Sequence, residues 1–181
     1  MRGTGSNQVR LSGFFVADAA VAARRPKGLW HPLFHLVSMI AIPLVYSAYY
    51  GVAEALRGAA ITSAQRRPRT PALVQLVGSL DTELAAARYA LADMIAASEG
   101  QPGPETTNRV FLGRANLVRA VLATADRALD VAQGSGFMRA GGIERLFRDL
   151  QAARFHPLQP QAQQDIAGRM AFGLGLDGPV G

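Results

Sequence analysis

Apolar residues recur along most of the chain at the three- and four-residue spacing that is typical of α-helices. Between positions 73 and 95 this spacing is kept by Leu73, Val77, Leu80, Leu84, Leu91 and Ile95. A second stretch, which ends at Gly134, repeats the pattern with Val110, Leu117, Val121 and Ala125. These two patterns predict two amphipathic helices, with the first ending near Gly100 and a loop at 101–104 that contains Pro and Gly.

The segment 30–59 is apolar and carries no charged side chain before Glu54. Its length is sufficient for a transmembrane helix, and Arg24 and Arg25 ahead of it are also typical of a twin-arginine export signal. Two histidines and two prolines at positions 31, 35, 32 and 43 argue against both interpretations. We favour the third, a central bundle helix that is apolar and buried all round, with Pro43 kinking or interrupting it.

The remaining segments complete a helical pattern. Positions 62–71 are polar, basic and contain Pro, so we expect a loop there. A fourth helical segment should begin near Ile143 or Glu144 and be interrupted at Pro157 and Pro160, with a last helix over about 161–172. Long helices joined by short loops predict an all-α, up-and-down helical bundle.

The first 28 residues have a different pattern. Residues 9–16 alternate in a way that is typical of a short β-strand, and a single strand needs a partner for its hydrogen bonds. We therefore interpret 1–28 as the remnant of a preceding β-domain and a linker, 29–176 as the bundle, and 177–181 as a loose tail. On this interpretation the chain is the C-terminal part of a longer protein.

Composition narrows the classes of function. Cysteine is absent, which excludes disulfides and fits a reducing, cytoplasmic compartment. The three histidines lack a His-Glu-x-x-His arrangement, so no metal site is predicted. The net charge is +6, but the arginines are scattered among acidic residues except at Arg66, Arg67 and Arg69, so we predict no nucleic-acid partner. We also expect no membrane partner.

A glycine-rich turn and the helix after it form the most specific motif. The turn is Gln133, Gly134, Ser135, Gly136 and Phe137, and the helix opens with Glu144, Arg145, Arg148 and Asp149. Acyl-CoA dehydrogenases have Gly-Gly-x-Gly-Tyr followed at the same spacing by Glu-Arg-x-x-Arg-Asp. The chain resembles the C-terminal helical domain of this superfamily, with Gln133 and Phe137 as departures.

The resemblance implies a cofactor and partners. In the family the turn contacts the adenine side of FAD bound to a neighbouring subunit, which assigns cofactor contacts to Gly134, Ser135, Gly136 and Phe137, with FAD, or FMN, as the cofactor. It also implies a homo-oligomer, a dimer or tetramer, and a small-molecule or acyl-CoA substrate for the full-length enzyme. Because the family encloses the flavin with two further domains, we expect little activity from this chain alone.

The position of the usual catalytic base differs from that of a dehydrogenase. Where the family has Tyr-Glu-Gly-Thr, this chain has His156, Pro157, Leu158 and Gln159, so Pro157 replaces the glutamate. The segment 148–156 is more similar to the flavin-dependent monooxygenase branch, in which a histidine near the flavin helps to deprotonate the substrate. That similarity makes His156 the candidate catalytic residue, because imidazole exchanges protons near neutral pH.

The resemblance therefore implies a flavin-dependent oxidoreductase, with two branches open: monooxygenation, or dehydrogenation with the base on another helix. Two plainer interpretations also stay open. His156 could only pack at a helix end before Pro157, and the whole chain could be a non-catalytic oligomerisation bundle. For Glu144, Arg148 and Asp149 we expect a structural role, in which the charges cap the helix and pair across a buried seam. Asp130 stands where the family usually has a glutamine, which departs from the cofactor-contact pattern.

Overall fold

A computed structural model describes residues 7–176 of the chain, and its regular structure is helical. Three long helices come first, α1 (Leu33–Ala64), α2 (Pro71–Ser98) and α3 (Pro104–Ala132). Two short ones follow, α4 (Ile143–Leu150) and α5 (Pro160–Ala171). The described residues contain no β-strand. The predicted all-α bundle is therefore confirmed.

The three long helices run up, down and up. Arg109 at the start of α3 pairs with Asp93 near the end of α2 at 2.5 Å, as an antiparallel pair requires. Tyr46 of α1 meets Arg114 of α3, and further along Arg67, just after α1, reaches the end of α3. The order of these contacts makes α1 and α3 parallel neighbours, with α2 antiparallel to both.

Helices α2 and α3 begin and pack as their sequences require. Thr70 caps α2 by accepting the Leu73 N–H at 3.3 Å, and proline fills the first helical position of both helices. The two helices approach closely at Gly113, where an added Cβ would lie 2.4 Å from Met94 Cγ. The absent side chain at position 113 lets the two helices pack at this distance.

Helix α1 differs from the prediction in its burial. It begins at Leu33 and continues without a break through Pro43, but only one face is buried. The other face exposes a row of large apolar side chains, Leu33, Leu36, Val37, Ile40 and Leu44. The prediction of a helix buried all round is wrong, because no described element covers this row. By length and composition α1 could also cross a membrane, a test that core helices of soluble proteins pass as well.

The loops and ends follow the prediction in part. Helix α1 extends to the buried Ala64, so the predicted loop at 62–71 begins three residues later. The last residue of the predicted loop at 101–104, Pro104, already belongs to α3. Residues 9–16 form no strand and lie exposed, because no described segment pairs with them; that part of the prediction is wrong. The predicted tail at 177–181 lies outside the described residues.

Candidate functional site

The glycine-rich turn directly follows the end of α3. Gln133 has φ 54° and ψ −145°, a backbone conformation that glycine adopts more easily. This is the position at which the family has a glycine. Gly136 is buried, and a Cβ there would lie 3.0 Å from Leu129 Cδ2 and 3.2 Å from Ala132 Cβ. The turn is thus folded tightly back onto α3.

The turn contacts the end of α1 and presents an open outer surface. Ser135 Oγ lies 2.5 Å from Ser63 Oγ, and the Arg67 guanidinium donates to the Val131 carbonyl, two residues before the turn. The Phe137 side chain is 86% exposed, and nothing lies within 4 Å of a Cβ built at Gly134. Helix packing thus places the basic loop after α1 beside the turn.

Helix α4 begins after Gly142, which has φ 70°. No side chain caps the N-terminus of this helix. The predicted pairing of its charges across a buried seam is wrong for Glu144 and Arg148. These two side chains form an i,i+4 pair at 3.6 Å on the same helix, and the Arg148 side chain is mostly exposed. Such a pair stabilises the helix locally and does not join it to another element.

The segment that carries His156 is fastened to α1 and α3 by three hydrogen bonds. The Tyr46 hydroxyl donates to the Ala153 carbonyl at 3.3 Å. Arg114 donates from Nη2 to the His156 carbonyl at 2.8 Å and from Nε to the Tyr46 hydroxyl, also at 2.8 Å. The bond to Tyr46 joins α3 to α1, and the third bond to the segment joins the His156 ring to Tyr49. Both the backbone and the ring of His156 are therefore held in place.

Tyr49 and His156 lie 2.5 Å apart, from the phenol oxygen to Nδ1, with their rings nearly edge to face at 5.4 Å. The Tyr49 hydroxyl has no other hydrogen-bond partner in residues 7–176. If the phenol oxygen accepted a hydrogen bond from Nδ1–H, the proton of the Tyr49 hydroxyl would therefore have no acceptor among these residues. This network assigns Tyr49 as the donor and Nδ1 as the acceptor. A neutral His156 then carries its proton on Nε2, which hydrogen-bonds to no described residue.

Burial acts on the proton of the Tyr49 phenol. It raises the pKa of Tyr49, and the neighbouring Tyr46 phenol adds to the effect. Burial also raises the pKa of Tyr46, against the opposing charge of Arg114. Both phenols therefore keep their protons near neutral pH and can act as donors.

Arg114 is the charged group at the centre of this arrangement. It is only 2% exposed, and in residues 7–176 it forms no ion pair with a carboxylate. Its hydrogen-bond partners are a phenol and a backbone carbonyl. A buried cation without a counter-ion is unusual, and it leaves a positive charge directly behind the His156 backbone.

Sequence reasoning identified His156 and the turn but not the residues that hold His156. A signal for Arg114 was present, since it occupies a core position in the apolar pattern of α3, between Val110 and Leu117. Tyr46 and Tyr49 gave no signal, because tyrosines at i,i+3 on an apolar helix read as ordinary core. The hydrogen bonds from Tyr46 to Ala153 and from Tyr49 to His156 each span 107 positions of sequence.

The structure does not bring His156 and the glycine-rich turn together within one chain. Tyr49, which holds His156, and Ser63, which contacts the turn, are 14 residues apart on α1. At about 1.5 Å per residue this is roughly 21 Å along the helix axis. The chain therefore offers two separate surfaces, one at each end of this part of α1.

Comparison with known proteins identifies this type of domain. The model of the family described as "Acyl-CoA dehydrogenase, C-terminal domain" matches residues 42–159, which include both His156 and the turn. The chain belongs to this family. The predicted resemblance is therefore confirmed.

Individual relatives add detail. The chain is 25% identical over 185 residues to the amino sugar nitrososynthase DnmZ of Streptomyces peucetius, an alignment that covers 96% of the chain and 46% of that protein. The structure of KijD3 in complex with FMN and dTDP-3-amino-2,3,6-trideoxy-4-keto-3-methyl-D-glucose matches with a TM-score of 0.73 and 25% identity. It covers 86% of the chain and 42% of KijD3.

A nitrososynthase from Micromonospora carbonacea var. africana has the same fold, with a TM-score of 0.73 and 23% identity, over 83% of the chain and 42% of that protein. The chain thus spans less than half the length of the relatives that it matches.

Proposed function

We propose that the chain is the C-terminal domain of a flavin-dependent monooxygenase that oxidises a small molecule, and that His156 is its hydrogen-bond donor to the reacting ligand. The observation that carries this proposal is the Tyr49–His156 hydrogen bond, which orients an imidazole beside Pro157, where a dehydrogenase would hold its glutamate. The similarity to a nitrososynthase and to a protein solved with FMN and an amino sugar nucleotide supports it.

The glycine-rich turn fits the adenine end of a flavin dinucleotide. Exposed Phe137 offers a ring for stacking, and the open backbone at Gly134 allows close approach. Ser135 and Gly136 shape the turn behind them. Arg66 and Arg69 are exposed in the loop that Arg67 fastens beside the turn, and they suit the diphosphate of FAD. An FMN cofactor would lack these contacts, so the turn favours FAD.

A bound reduced flavin would supply the electrons for activation of O2, and this chain supplies a positioned donor. Since Nδ1 is occupied by the Tyr49 proton, neutral His156 can donate only from Nε2. It therefore binds and orients an oxygen or nitrogen lone pair on the ligand. It does not remove a proton from the substrate in this tautomer, which differs from the role implied by the monooxygenase resemblance.

Self-association is part of the same proposal. The turn and His156 lie on separate surfaces of the chain, and the family resemblance implies that the turn contacts FAD bound to a neighbouring subunit. A second copy would supply the missing surface, in a dimer or a tetramer. The exposed apolar row of α1 is a further surface that association would cover. Sedimentation equilibrium at micromolar concentration should show a species larger than the monomer, and a folded monomer would contradict this part.

The catalytic proposal is tested by replacing His156 in the flavin-loaded enzyme. Turnover is measured as oxidation of a dTDP-linked amino sugar by O2, in the presence of the enzyme and reduced flavin as the electron donor. We expect His156→Ala to reduce turnover by about a hundredfold or more, as the loss of one positioned hydrogen-bond donor does, while flavin content is unchanged because the turn is distant. His31→Asn is the matched control, since asparagine can still accept the Leu33 N–H that His31 Nδ1 accepts at 3.2 Å.

The possible outcomes separate the competing functions. A normal rate in His156→Ala with flavin bound would reduce His156 to a packing residue and overturn the proposed role. Robust acyl-CoA dehydrogenation by the wild type would overturn the monooxygenase assignment itself, because it would show that a residue other than Pro157 acts as the base. Failure of the wild type to bind any flavin would favour the non-catalytic bundle.

A further inference from the structure

A groove of about 710 Å³ lies between α3 and α5, beside the segment that carries His156. Its polar lining is basic or neutral and includes Arg114, Arg119, Arg154, Gln159, Gln161 and Gln164, with no Asp or Glu among the lining residues. Leu112, Leu122 and Phe155 add an apolar wall. We call this the α3–α5 groove. Its volume is in the range of small-molecule sites.

The three arginines of the groove are not neutralised by acidic groups. In residues 7–176 none of them forms an ion pair. Arg119 donates to the Asn116 amide oxygen and Arg154 donates to Gln151 Oε1. Neutral acceptors orient these guanidinium groups but leave their charge uncompensated, and the remaining N–H donors can meet a ligand.

The start of α5 opens onto the same groove. Gln159 precedes the helix without a side-chain cap, and the first turn contains no acidic residue. The N–H groups of this turn therefore have no side-chain acceptor, and the helix dipole adds partial positive charge. Together with the exposed guanidinium groups of Arg119 and Arg154, this helix start makes an anion the ligand that the groove accommodates best.

The groove adjoins the segment that carries His156. Arg114 lines the groove and also donates to the His156 carbonyl, and Arg154 and Phe155 immediately precede His156 in the chain. A ligand in the groove would therefore lie against the residues that directly precede His156. By contrast, the glycine-rich turn begins 14 positions beyond Arg119, roughly 21 Å along α3.

We propose that the α3–α5 groove binds the diphosphate of a nucleoside diphosphate-linked substrate, with Arg119 and Arg154 as the principal anion contacts. This rests on the proposed function and specifies its substrate class. Two guanidinium groups and a helix N-terminus match two adjacent phosphates. The apolar wall suits the base or the sugar. FAD carries the same diphosphate chemistry, but on this account it is held at the turn and not in the groove.

Isothermal titration of the purified protein with thymidine 5′-diphosphate tests the site without flavin or turnover. The groove variant Arg119→Gln/Arg154→Gln is compared with a control, Arg127→Gln/Arg148→Gln, which removes the same charge from exposed arginines outside the groove. We expect the groove variant to bind at least tenfold more weakly and the control to match the wild type. Titration with FAD should be equal in all three proteins.

Each outcome has a distinct meaning. Equal weakening by both variants would show that net charge alone attracts the nucleotide, and absence of binding to the wild type would show that there is no such site; either result overturns the proposal. Weakening of FAD binding by the groove variant would assign the groove to the cofactor and overturn it as well. If the nucleotide bound specifically but His156→Ala kept full turnover, the nucleotide site in the groove would stand and the proposed catalytic role of His156 would be rejected.

Discussion

The Tyr49 hydroxyl and the His156 ring meet at 2.5 Å although 107 positions separate them in the sequence. Helix α1 supplies the phenol, and the segment between α4 and α5 supplies the imidazole. Arg114, from α3, holds the backbone of the same histidine. Two helices thus hold one residue, α1 by its ring and α3 by its backbone, which is more support than a residue that merely ends a helix requires.

The first prediction concerns Arg114, whose planar group bonds two acceptors in different directions. Arg114→Lys keeps the charge but cannot reproduce this fork. We expect it to lower the free energy of unfolding by about 1–3 kcal/mol, measured by urea denaturation. The control is Arg127→Lys, at an exposed position paired with Asp130, and it should change stability by less than about 0.5 kcal/mol. Equal effects would mean that the buried bonds contribute nothing specific.

The second prediction concerns the packing of the glycine-rich turn. A Cβ at Gly136 would press on Leu129 Cδ2 and Ala132 Cβ, and the latter is fixed on the α3 backbone. Gly136→Ala should therefore destabilise the protein by about 1–3 kcal/mol. Gly134→Ala meets nothing within 4 Å and should leave the urea midpoint nearly unchanged. If Gly134→Ala were the more damaging of the two, the turn would not be folded against α3 as described.

The third prediction concerns acid stability. Arg57 of α1 bonds Asp81 of α2 through Nε and Nη2, at 2.7 and 2.9 Å, and these bonds lower the pKa of Asp81. Because the folded-state pKa is lowered, the stabilisation is present above the unfolded pKa, near about 4, and is lost as pH falls through the lowered folded pKa. Both side chains are more than a third exposed, so the gain at pH 7 should be below about 1 kcal/mol.

The measurement for this ion pair is urea denaturation of Asp81→Asn and wild type across pH 2–7. The two stabilities should differ at neutral pH and converge in acid. Asp126→Asn removes a carboxylate that forms no ion pair with any described residue, so it should follow the wild type throughout. A difference for Asp81→Asn that grows toward low pH would contradict the assigned direction of the pKa change.

The long helices could be predicted from the sequence because their signals are local. The apolar spacing in α2 and α3, the prolines at positions 71 and 104, and the glycines after each helix determine where the helices lie. The burial of α1 could not be predicted in the same way. Its residues are apolar on both faces, so composition cannot distinguish a face that neighbours cover from one that they leave exposed.

The candidate site could be predicted only as far as its motif. The resemblance identified His156 and the turn, and Arg114 was visible as a charge in an apolar pattern. The Tyr49–His156 bond and the α3–α5 groove depend on how distant helices pack, and no spacing within one segment encodes that. The strand at 9–16 was wrong for the same reason, because an alternating pattern forms a strand only where a partner is present.

The central claim is that Tyr49 holds His156 with its proton on Nε2. Nitrogen-15 NMR of the imidazole rings tests it most directly, with the His156 signals assigned by their loss in His156→Ala. At a pH where His156 is neutral, the wild type should show a protonated Nε2 and an unprotonated Nδ1. Tyr49→Phe should give a mixture of both tautomers. The control Tyr89→Phe, on the exposed surface of α2, should keep the wild-type tautomer. A wild-type ring protonated on Nδ1, or a tautomer unchanged by Tyr49→Phe, would contradict the account.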